Sequence, residues 1–251
     1  MTRKNSLGKG WLLDRFSGRL FFYDEIDSTM TEAKRLANKQ GLTDGMLLLA
    51  EVQTGGKGRR GRAWHSEKGG IWLSYIVSPR LSREYYTLYP IMTAVALFKC
   101  LEKFNVSSKI KWPNDIVVDN KKMAGIAIDL ISKDNDKLVI GLGINVYNKT
   151  IDIATKVSDY NKGIKIDQFF ASVVEHLDKY KEILEEDKQE IIDLWKESNN
   201  VLGNEVKIIP ADGSDSYYAI AVDISKNGAL IIENEGIRKS VVAADVSLRI
   251  R

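Results

Sequence analysis

The chain has 251 residues, 44% of them hydrophobic, and its 37 Lys and Arg against 34 Asp and Glu give a net charge of only +3. This composition supports a packed core and argues against a polycation that binds bulk nucleic acid. No run approaches the ~18 apolar residues of a membrane span, and the N-terminus lacks a secretory signal. The single cysteine, Cys100, is predicted to be a core residue, and we expect a reducing, cytoplasmic location.

The first part of the chain predicts single helices placed between short strands. Thr29 and Glu32 have the spacing of a capping box and predict a helix that runs to about Lys39. Helical spacing of apolar residues predicts a buried helix over 85–104. Strands are predicted at 46–52, 71–77, 110–111, 116–118, 124–131 and 138–146. Because the strands come in neighbouring pairs, the pattern favours an α+β sheet with antiparallel pairs over a regular βαβ winding.

The last part of the chain changes character at Gly203. Two amphipathic helices are predicted before it, at 168–186 and 189–199. After it, the dipeptides Asp212-Gly213, Asn227-Gly228 and Glu235-Gly236 separate short apolar runs and predict a small β-barrel. We therefore predict two domains, a larger one over 1–203 and a C-terminal β domain over 204–251.

The segment from Gln53 to Trp64 combines glycine with positive charge. Four glycines stand among four cations, which are Lys57, Arg59, Arg60 and Arg62. Glycine lets backbone N–H groups approach an anion closely, and guanidinium groups bind phosphate or carboxylate with two hydrogen bonds. The Walker A pattern is absent, and the match of 56–61 to GxGxxG is weak because no helical pattern follows. A solvated basic loop or a nucleic-acid patch is the alternative to an anion-binding loop.

A second group of polar residues occurs at 111–115, with the sequence KWPND, and continues to Gly125. A hairpin between 116–118 and 124–130 would bring Lys122 beside Asp115. Lys121 is better explained as a charged turn residue, whereas Gly125 permits a ligand to approach Lys122. Asn145 follows two glycines and has two alternatives: it pairs with an adenine or ribose edge, or it hydrogen-bonds a loop.

Together, four segments resemble a biotin protein ligase of the short type: IDST at 26–29, QTGGKGRRGRAW at 53–64, KWPND followed by KKMAGI, and VIGLGIN at 139–145. The resemblance implies a mixed α+β sheet akin to class II aminoacyl-tRNA synthetases, with an SH3-like C-terminal barrel. It implies a ligase that uses ATP and Mg²⁺ to convert biotin to biotinyl-5′-AMP. The acceptor would be one lysine of a biotin carboxyl carrier domain of a biotin-dependent carboxylase.

The resemblance also implies roles for individual residues. The catalytic residues would be Lys122 and Arg59. Asp115 is added as our own hypothesis, because the predicted hairpin places it across from Lys122, where it would orient or deprotonate the acceptor amine. Biotin would contact Ser28, Thr29, Met30, Gln53, Lys57, Gly58, Arg59, Lys122 and Gly125. The nucleotide would contact Lys57, Arg59, Arg60, Arg62, Trp64, Lys111, Asn114 and Asn145. The resemblance assigns no metal ligands.

Two residues depart from the family pattern. Lys57 stands where arginine is usual, so the charge is kept but the bidentate fork is lost. Met30 stands where asparagine is common. Only about twenty residues precede the IDST motif, too few for a helix-turn-helix domain, so we expect no DNA-binding role. A homodimer is compatible with the resemblance.

Two other functions remain open on the sequence. A lipoate or octanoate ligase shares the core fold and the acyl-lysine chemistry, although the paired motifs and the C-terminal barrel argue against it. A non-enzymatic basic module that binds RNA is the second alternative, and the low net charge argues against it.

Overall fold

The protein is described by a computed structural model that covers residues 7–39, 41–58, 61–132, 135–243 and 246–250. The helices are α1 (Lys9–Arg15), α2 (Thr29–Lys39), α3 (Leu88–Lys103), α4 (Val157–Tyr160), α5 (Ile166–Glu186) and α6 (Lys188–Ser198). The strands are β1 (Leu20–Ile26), β2 (Leu47–Gln53), β3 (Ile71–Val77), β4 (Lys109–Lys111), β5 (Asp115–Val118), β6 (Lys121–Ser132), β7 (Asp136–Ile144), β8 (Glu205–Pro210), β9 (Tyr217–Ile224), β10 (Leu230–Asn234), β11 (Ile237–Val241) and β12 (Val246–Ile250). None of the helices in the covered ranges combines the length and hydrophobicity that a membrane span requires.

The larger sheet has seven strands in the order β1-β2-β3-β7-β6-β5-β4. β1 pairs with β2 in parallel, and the remaining neighbours are antiparallel. This arrangement confirms the predicted α+β sheet with antiparallel pairs. The sequence did not predict β1, because Asp24 and Glu25 interrupt its apolar run.

The two faces of this sheet are covered differently. On one face α3, α5 and α6 pack together over the sheet and form the main hydrophobic core. On the other face α2 covers only part of the sheet, where Ala33 and Leu36 pack against Leu48, Ile76 and Val139. The rest of this second face is free of helices in the described residues and carries the cavity considered below.

The N-terminus of α2 lies one residue away from the predicted cap. Thr29 is already helical, and the Ser28 hydroxyl accepts a hydrogen bond from the Thr31 backbone N–H at 3.4 Å. Glu32 accepts from Arg35 and does not complete a capping box. The predicted helix itself is confirmed, since α2 spans Thr29–Lys39. Only the predicted cap was wrong, because Ser28 and Thr29 are both good caps and tertiary contacts decide between them. Thr29 instead directs its hydroxyl toward β2 and β3.

The smaller sheet has five antiparallel strands in the order β11-β10-β9-β8-β12. Its inner face contributes Val206, Ile208 and Leu230 to the same core cluster as the helices of the larger sheet. The first strand begins at Glu205, directly after the predicted boundary at 203/204. Because both sheets share one core cluster, the division into two domains stays a prediction.

Two buried tyrosines connect α5 to its neighbours. The Tyr75 hydroxyl donates to Asp178 at 2.9 Å, and the Tyr89 hydroxyl donates to Glu185 at 2.7 Å. Burial raises the pKa of both phenols above the ordinary value of 10, and the adjacent carboxylates raise it further. The folded protein therefore retains protons that the unfolded chain loses above pH 10, so its stability is lost as the pH rises through that range.

We expect Tyr75→Phe to reduce this alkaline loss of stability. Above pH 10 each buried phenol contributes a slope of about 1.4 kcal/mol per pH unit. Removing one phenol should lower the slope by about that amount, at a cost of about 1 kcal/mol at neutral pH for the lost hydrogen bond. Urea denaturation at pH 8, 10 and 11 measures the slope. Tyr218→Phe, at a position that is 45% exposed, is the control; an unchanged slope in Tyr75→Phe would contradict the assignment.

Candidate active site

A cavity of about 970 Å³ lies on the α2 side of the larger sheet. Its floor is made of small residues, because Gly141 and Gly143 alternate along β7 and pair across to Ala127 and Gly125 of β6. None of these residues has a side chain beyond Cβ, so Trp64 and Met30 can lie directly over the glycines of this face. The glycines of two predicted motifs therefore form the cavity floor together.

The cavity collects most of the residues predicted from the sequence, although those residues come from four strands, one helix and the loops between them. Its lining includes Ser28, Thr29, Met30, Gln53, Lys57, Gly58, Arg62, Trp64, Lys111, Asn114, Asp115, Lys122, Gly125 and Asn145. Arg59 and Arg60 lie outside the described residues, so their predicted contacts with carboxylate and phosphate stay predictions.

Trp64 lies flat against the glycine floor. A Cβ on Gly143 would lie 2.6 Å from the Trp64 Nε1 atom, and one on Gly125 would lie 3.1 Å from the indole ring. The Lys122 ammonium lies over the same ring, 4.9 Å from its centroid. The Nε1 atom is buried and has no hydrogen-bond partner in the described structure. Because a buried N–H without a partner is costly, this donor indicates a position for a ligand acceptor.

Lys122 and Asp115 form an ion pair inside the cavity, with 2.7 Å between Nζ and Oδ1. The predicted hairpin brings them together, since β5 pairs with β6 and places Asp115 opposite Gly125. A bulge after Ile116 shifts the register and allows Lys122 to reach back to the carboxylate. Lys121, its neighbour in the chain, is exposed, as expected for a turn residue.

Positive charge exceeds negative charge around this ion pair. Lys111 lies opposite Asp115 on β4, and Arg249 of β12 lines the same cavity. Burial lowers the pKa of Lys111, and the charges of Lys122 and Arg249 lower it further against the attraction of Asp115. The cations around this one carboxylate repel each other, and the binding of an anion relieves that repulsion.

Thr29 and Gln53 of the cavity wall belong to a polar network that continues to the buried Ser66 and Ser74 behind it. Gln53 Oε1 accepts from the Thr29 backbone N–H at 2.8 Å and from the Thr29 hydroxyl at 3.2 Å. Gln53 Nε2 donates to Ser66 at 2.9 Å, and Ser74 donates to the Thr29 hydroxyl at 2.8 Å. These hydrogen bonds hold β2, β3 and the start of α2 in a fixed relation. Met30, the next residue of α2, covers Gly141, where a Cβ would lie 2.4 Å from the Met30 sulfur.

The described ends of the basic loop approach each other. Gly58 N–H donates to Arg62 O at 2.7 Å, and Lys57 pairs with Ala63 as an antiparallel bridge. Lys57, Gly58 and Arg62 all line the cavity. The loop is therefore placed at the cavity rather than on a remote surface, as the anion-binding hypothesis requires.

Asn114 and Asn145 both have partners within the protein. The side-chain amide of Asn114 donates to the backbone carbonyl of Ile126, and the backbone carbonyl of Asn114 accepts from the Ile126 N–H. Asn145 donates to Thr155 O at 3.2 Å and accepts from Asn148 at 3.0 Å. For Asn145 the structure shows the loop hydrogen bonds of the second alternative, and nucleotide contact by either residue stays a prediction.

Two parts of the cavity wall were missed by the sequence analysis. One is Arg249, which reaches the cavity from the C-terminal sheet. The other is the segment after β7, where Lys122 N–H donates to Ile153 O at 3.1 Å and Thr155 N–H donates to Lys122 O at 2.9 Å. Ile153 is 74% exposed beside Lys122. No motif marks these residues, and the only available signal was a cation at the end of the last predicted strand.

The described residues contain no group of three or more His, Cys, Asp or Glu side chains placed to hold a metal ion. Asp115, a carboxylate that lines the cavity, is already paired with Lys122. Mg²⁺ brought by a nucleotide would keep most of its ligands from phosphate and water.

Comparisons with known proteins agree with this architecture. The chain matches the Biotin/lipoate A/B protein ligase family over residues 22–145 and the biotin protein ligase C-terminal domain over residues 201–249. The Bacillus subtilis bifunctional ligase/repressor BirA is 32% identical over 246 residues, which cover 91% of this chain and 74% of that protein. A Mycobacterium tuberculosis biotin--[acetyl-CoA-carboxylase] ligase is 27% identical over 261 residues, covering 95% of this chain and 90% of that protein.

A solved structure shows the same fold over almost the whole chain. The biotin protein ligase from Aquifex aeolicus in complex with biotin and ATP aligns with a TM-score of 0.80 and 28% identity. The alignment covers 93% of this chain and 100% of that one. The family match, the B. subtilis relative and this shared fold, together with the cavity described above, show that the chain belongs to the biotin protein ligases of the Biotin/lipoate A/B protein ligase family.

Proposed function

We propose that the chain activates biotin with ATP to form biotinyl-5′-AMP and transfers the biotinyl group to a lysine of a biotin carboxyl carrier domain. The observation that carries this proposal is the Lys122–Asp115 pair beside Trp64, on a floor of glycines and at the end of a basic loop. The Aquifex relative was solved with biotin and ATP, which supports these two substrates. The M. tuberculosis relative is named for acetyl-CoA carboxylase, which supports this class of acceptor.

In the first step a biotin carboxylate oxygen bonds to the α-phosphorus of ATP, and the bond from that phosphorus to the pyrophosphate oxygen breaks. Two anions must approach, so their repulsion is part of the barrier. Lys122 is held in place by Asp115 and Trp64, and it offsets the developing charge without reorganisation. Lys111, Arg62 and Arg249 add positive charge for the phosphates, and the rest of the task is positioning.

The part of the cavity that binds the biotin ring is proposed to be the network of Thr29, Gln53 and Ser74, called the ring-binding network below. The ring of biotin is a cyclic urea, which presents one carbonyl acceptor and two N–H donors. The hydroxyls of Thr29 and Ser74 both donate and accept, and their orientations are set by Gln53 and by each other. Met30 and Gly141 form an adjoining apolar wall. These features suit a ring that is polar at one edge and apolar on its faces.

In the second step the acceptor amine bonds to the carbonyl carbon of the mixed anhydride, and the bond from that carbon to the AMP oxygen breaks. The amine loses one proton, and in this proposal Asp115 orients the amine or accepts that proton. We expect Asp115→Asn to slow transfer from preformed biotinyl-AMP about 10²-fold, the lower end of general-base effects. Single-turnover transfer to a carrier domain measures this step separately from adenylation.

Asp119→Asn is the matched control for that variant. Asp119 lies in the turn of the same hairpin, at a positive φ that asparagine also tolerates. Its carboxylate accepts from the Tyr160 hydroxyl at 3.0 Å and has no contact with Lys122 among the described contacts. We expect its transfer rate to stay within about twofold of the wild type. An unchanged transfer rate in Asp115→Asn would exclude Asp115 from the second step.

The experiment that tests the proposed function is ATP–pyrophosphate exchange with Mg²⁺ and biotin, lipoate, octanoate or no acid. Exchange that depends on biotin supports the proposal. Exchange with lipoate or octanoate would assign the chain to the sister branch of the family instead. No exchange with any acid would leave a module that binds without catalysing. The absence of a DNA-binding role and the homodimer stay predictions.

A further inference from the structure

The turn that joins β9 to β10 in the C-terminal sheet packs on the first turn of α3. Gly228 has φ +83°, and a Cβ there would lie 2.6 Å from Ile91 Cδ1 of α3. The turn is closed by its own hydrogen bonds, from Gly228 N–H to Ser225 O at 2.9 Å and from Ala229 N–H to the Ser225 hydroxyl at 3.0 Å. It therefore docks on α3 as a preformed unit, in a position that only glycine fits.

Trp112, the residue directly after β4 of the larger sheet, contacts this turn. Its indole N–H donates to Gly228 O at 3.2 Å, and its side chain is 2% exposed. A second hydrogen bond, from the Thr87 hydroxyl to Asn227 O, holds the turn next to it. The N–H of a buried indole needs a partner, so the orientation of Trp112 depends on where the C-terminal turn lies.

Trp112 is three residues from the catalytic pair, and the residues between them are restrained. The ring of Pro113 limits the backbone, and Asn114 binds both backbone groups of Ile126 on β6. Asp115 then makes the 2.7 Å contact with Lys122. The segment from Trp112 to Asp115 is thus held by the C-terminal sheet at one end and by β6 at the other.

The ring-binding network of Thr29, Gln53 and Ser74 has no such connection to the C-terminal sheet among the described contacts. The hydrogen bonds of Thr29, Gln53 and Ser74 join β2, β3 and the start of α2, and in the strand order β2 and β3 lie on the far side of β7 from β5. A small displacement of Trp112 should therefore reach Asp115 and Lys122 while leaving the network intact.

We propose that Trp112 is a positioning residue that transmits the docking of the β9–β10 turn to Asp115 and, through it, to Lys122. In this arrangement the C-terminal sheet sets the geometry of the catalytic pair as well as adding Arg249 to the cavity. The inference rests on the proposed function, because the catalytic pair has a role only if biotin is activated here.

The test is Trp112→Phe, which keeps an aromatic ring in the core and removes the N–H that binds Gly228. Trp195→Phe is the control, because Trp195 is also fully buried and its N–H has no partner in the described structure. Three quantities are measured on the full chain: the Kd for biotin, the single-turnover rate of adenylate formation, and the Tm. We expect Trp112→Phe to bind biotin with a Kd within about twofold of wild type. We expect it to form the adenylate about tenfold more slowly, because a small displacement of a catalytic group lowers the rate. Trp195→Phe should lower the Tm at least as much and leave the rate unchanged.

Two results would overturn the inference. One is an unchanged adenylation rate in Trp112→Phe, and the other is an equal fall in rate for Trp195→Phe, which would show a general effect of core damage. Wild-type exchange with biotin is measured first, so a failure of the proposed function is seen separately. If the wild type exchanges and only the variant comparison fails, the positioning role alone is wrong.

Discussion

Lys122→Ala is expected to lower the rate of biotin adenylation by about 10²- to 10³-fold, the loss that follows removal of one preorganised electrostatic group. The variant removes a cation held by Asp115 at 2.7 Å and by the face of Trp64. It also leaves the Asp115 carboxylate without its partner, so an added negative charge faces the carboxylate and phosphates of the substrates. Both changes raise the barrier in the same direction.

Lys121→Ala is the matched control for this variant. Lys121 is the preceding residue in the chain and has the same formal charge, but its side chain is exposed on the other side of β6. We expect Lys121→Ala to retain the rate within about twofold, because a surface charge is screened by solvent. Single-turnover formation of biotinyl-AMP, with biotin affinity measured in parallel, separates a loss of rate from a loss of binding. Equal rates for the two variants would exclude the catalytic role of Lys122.

Gly143→Ala is expected to reduce adenylation at least about tenfold by displacing Trp64. The new methyl would lie 2.6 Å from the Trp64 Nε1 atom, well inside normal contact, so the indole must move away from the floor. Because the Lys122 ammonium rests over the same ring, the cation loses its support when the indole moves. The expected effect is therefore larger than that of one added methyl group.

A double-mutant cycle tests this cause directly. If the clash with Trp64 is responsible, adding Gly143→Ala to a Trp64→Ala background should cost little further activity, so the two effects are strongly non-additive. Gly10→Ala is the control, because a Cβ there meets nothing within 4 Å. Additive losses in the double variant would show that Gly143 acts by some route other than Trp64.

The amino-acid sequence by itself determined the local features of this protein. The short apolar run at 71–77 became β3 at those residues, and the apolar helix predicted over 85–104 became α3, shorter by three residues at its start and one at its end. Whether a segment buries one face depends on residues a few positions apart, so its hydrophobic pattern predicts the helix or strand. The hairpin that joins Asp115 to Lys122 was also predictable, because a short turn separates its strands.

The tertiary structure alone decided which distant residues meet in the cavity. Trp64 lies on Gly125 and Gly143 because β7 and β6 are neighbours in the sheet, and the strand order is not written in any local pattern. Local patterns also do not predict that Asn145 hydrogen-bonds Thr155, that Trp112 hydrogen-bonds Gly228 or that Arg249 lines the cavity. Local propensity is set by neighbours in the chain, whereas these contacts depend on how the two sheets and their loops pack, and that packing is a property of the folded whole.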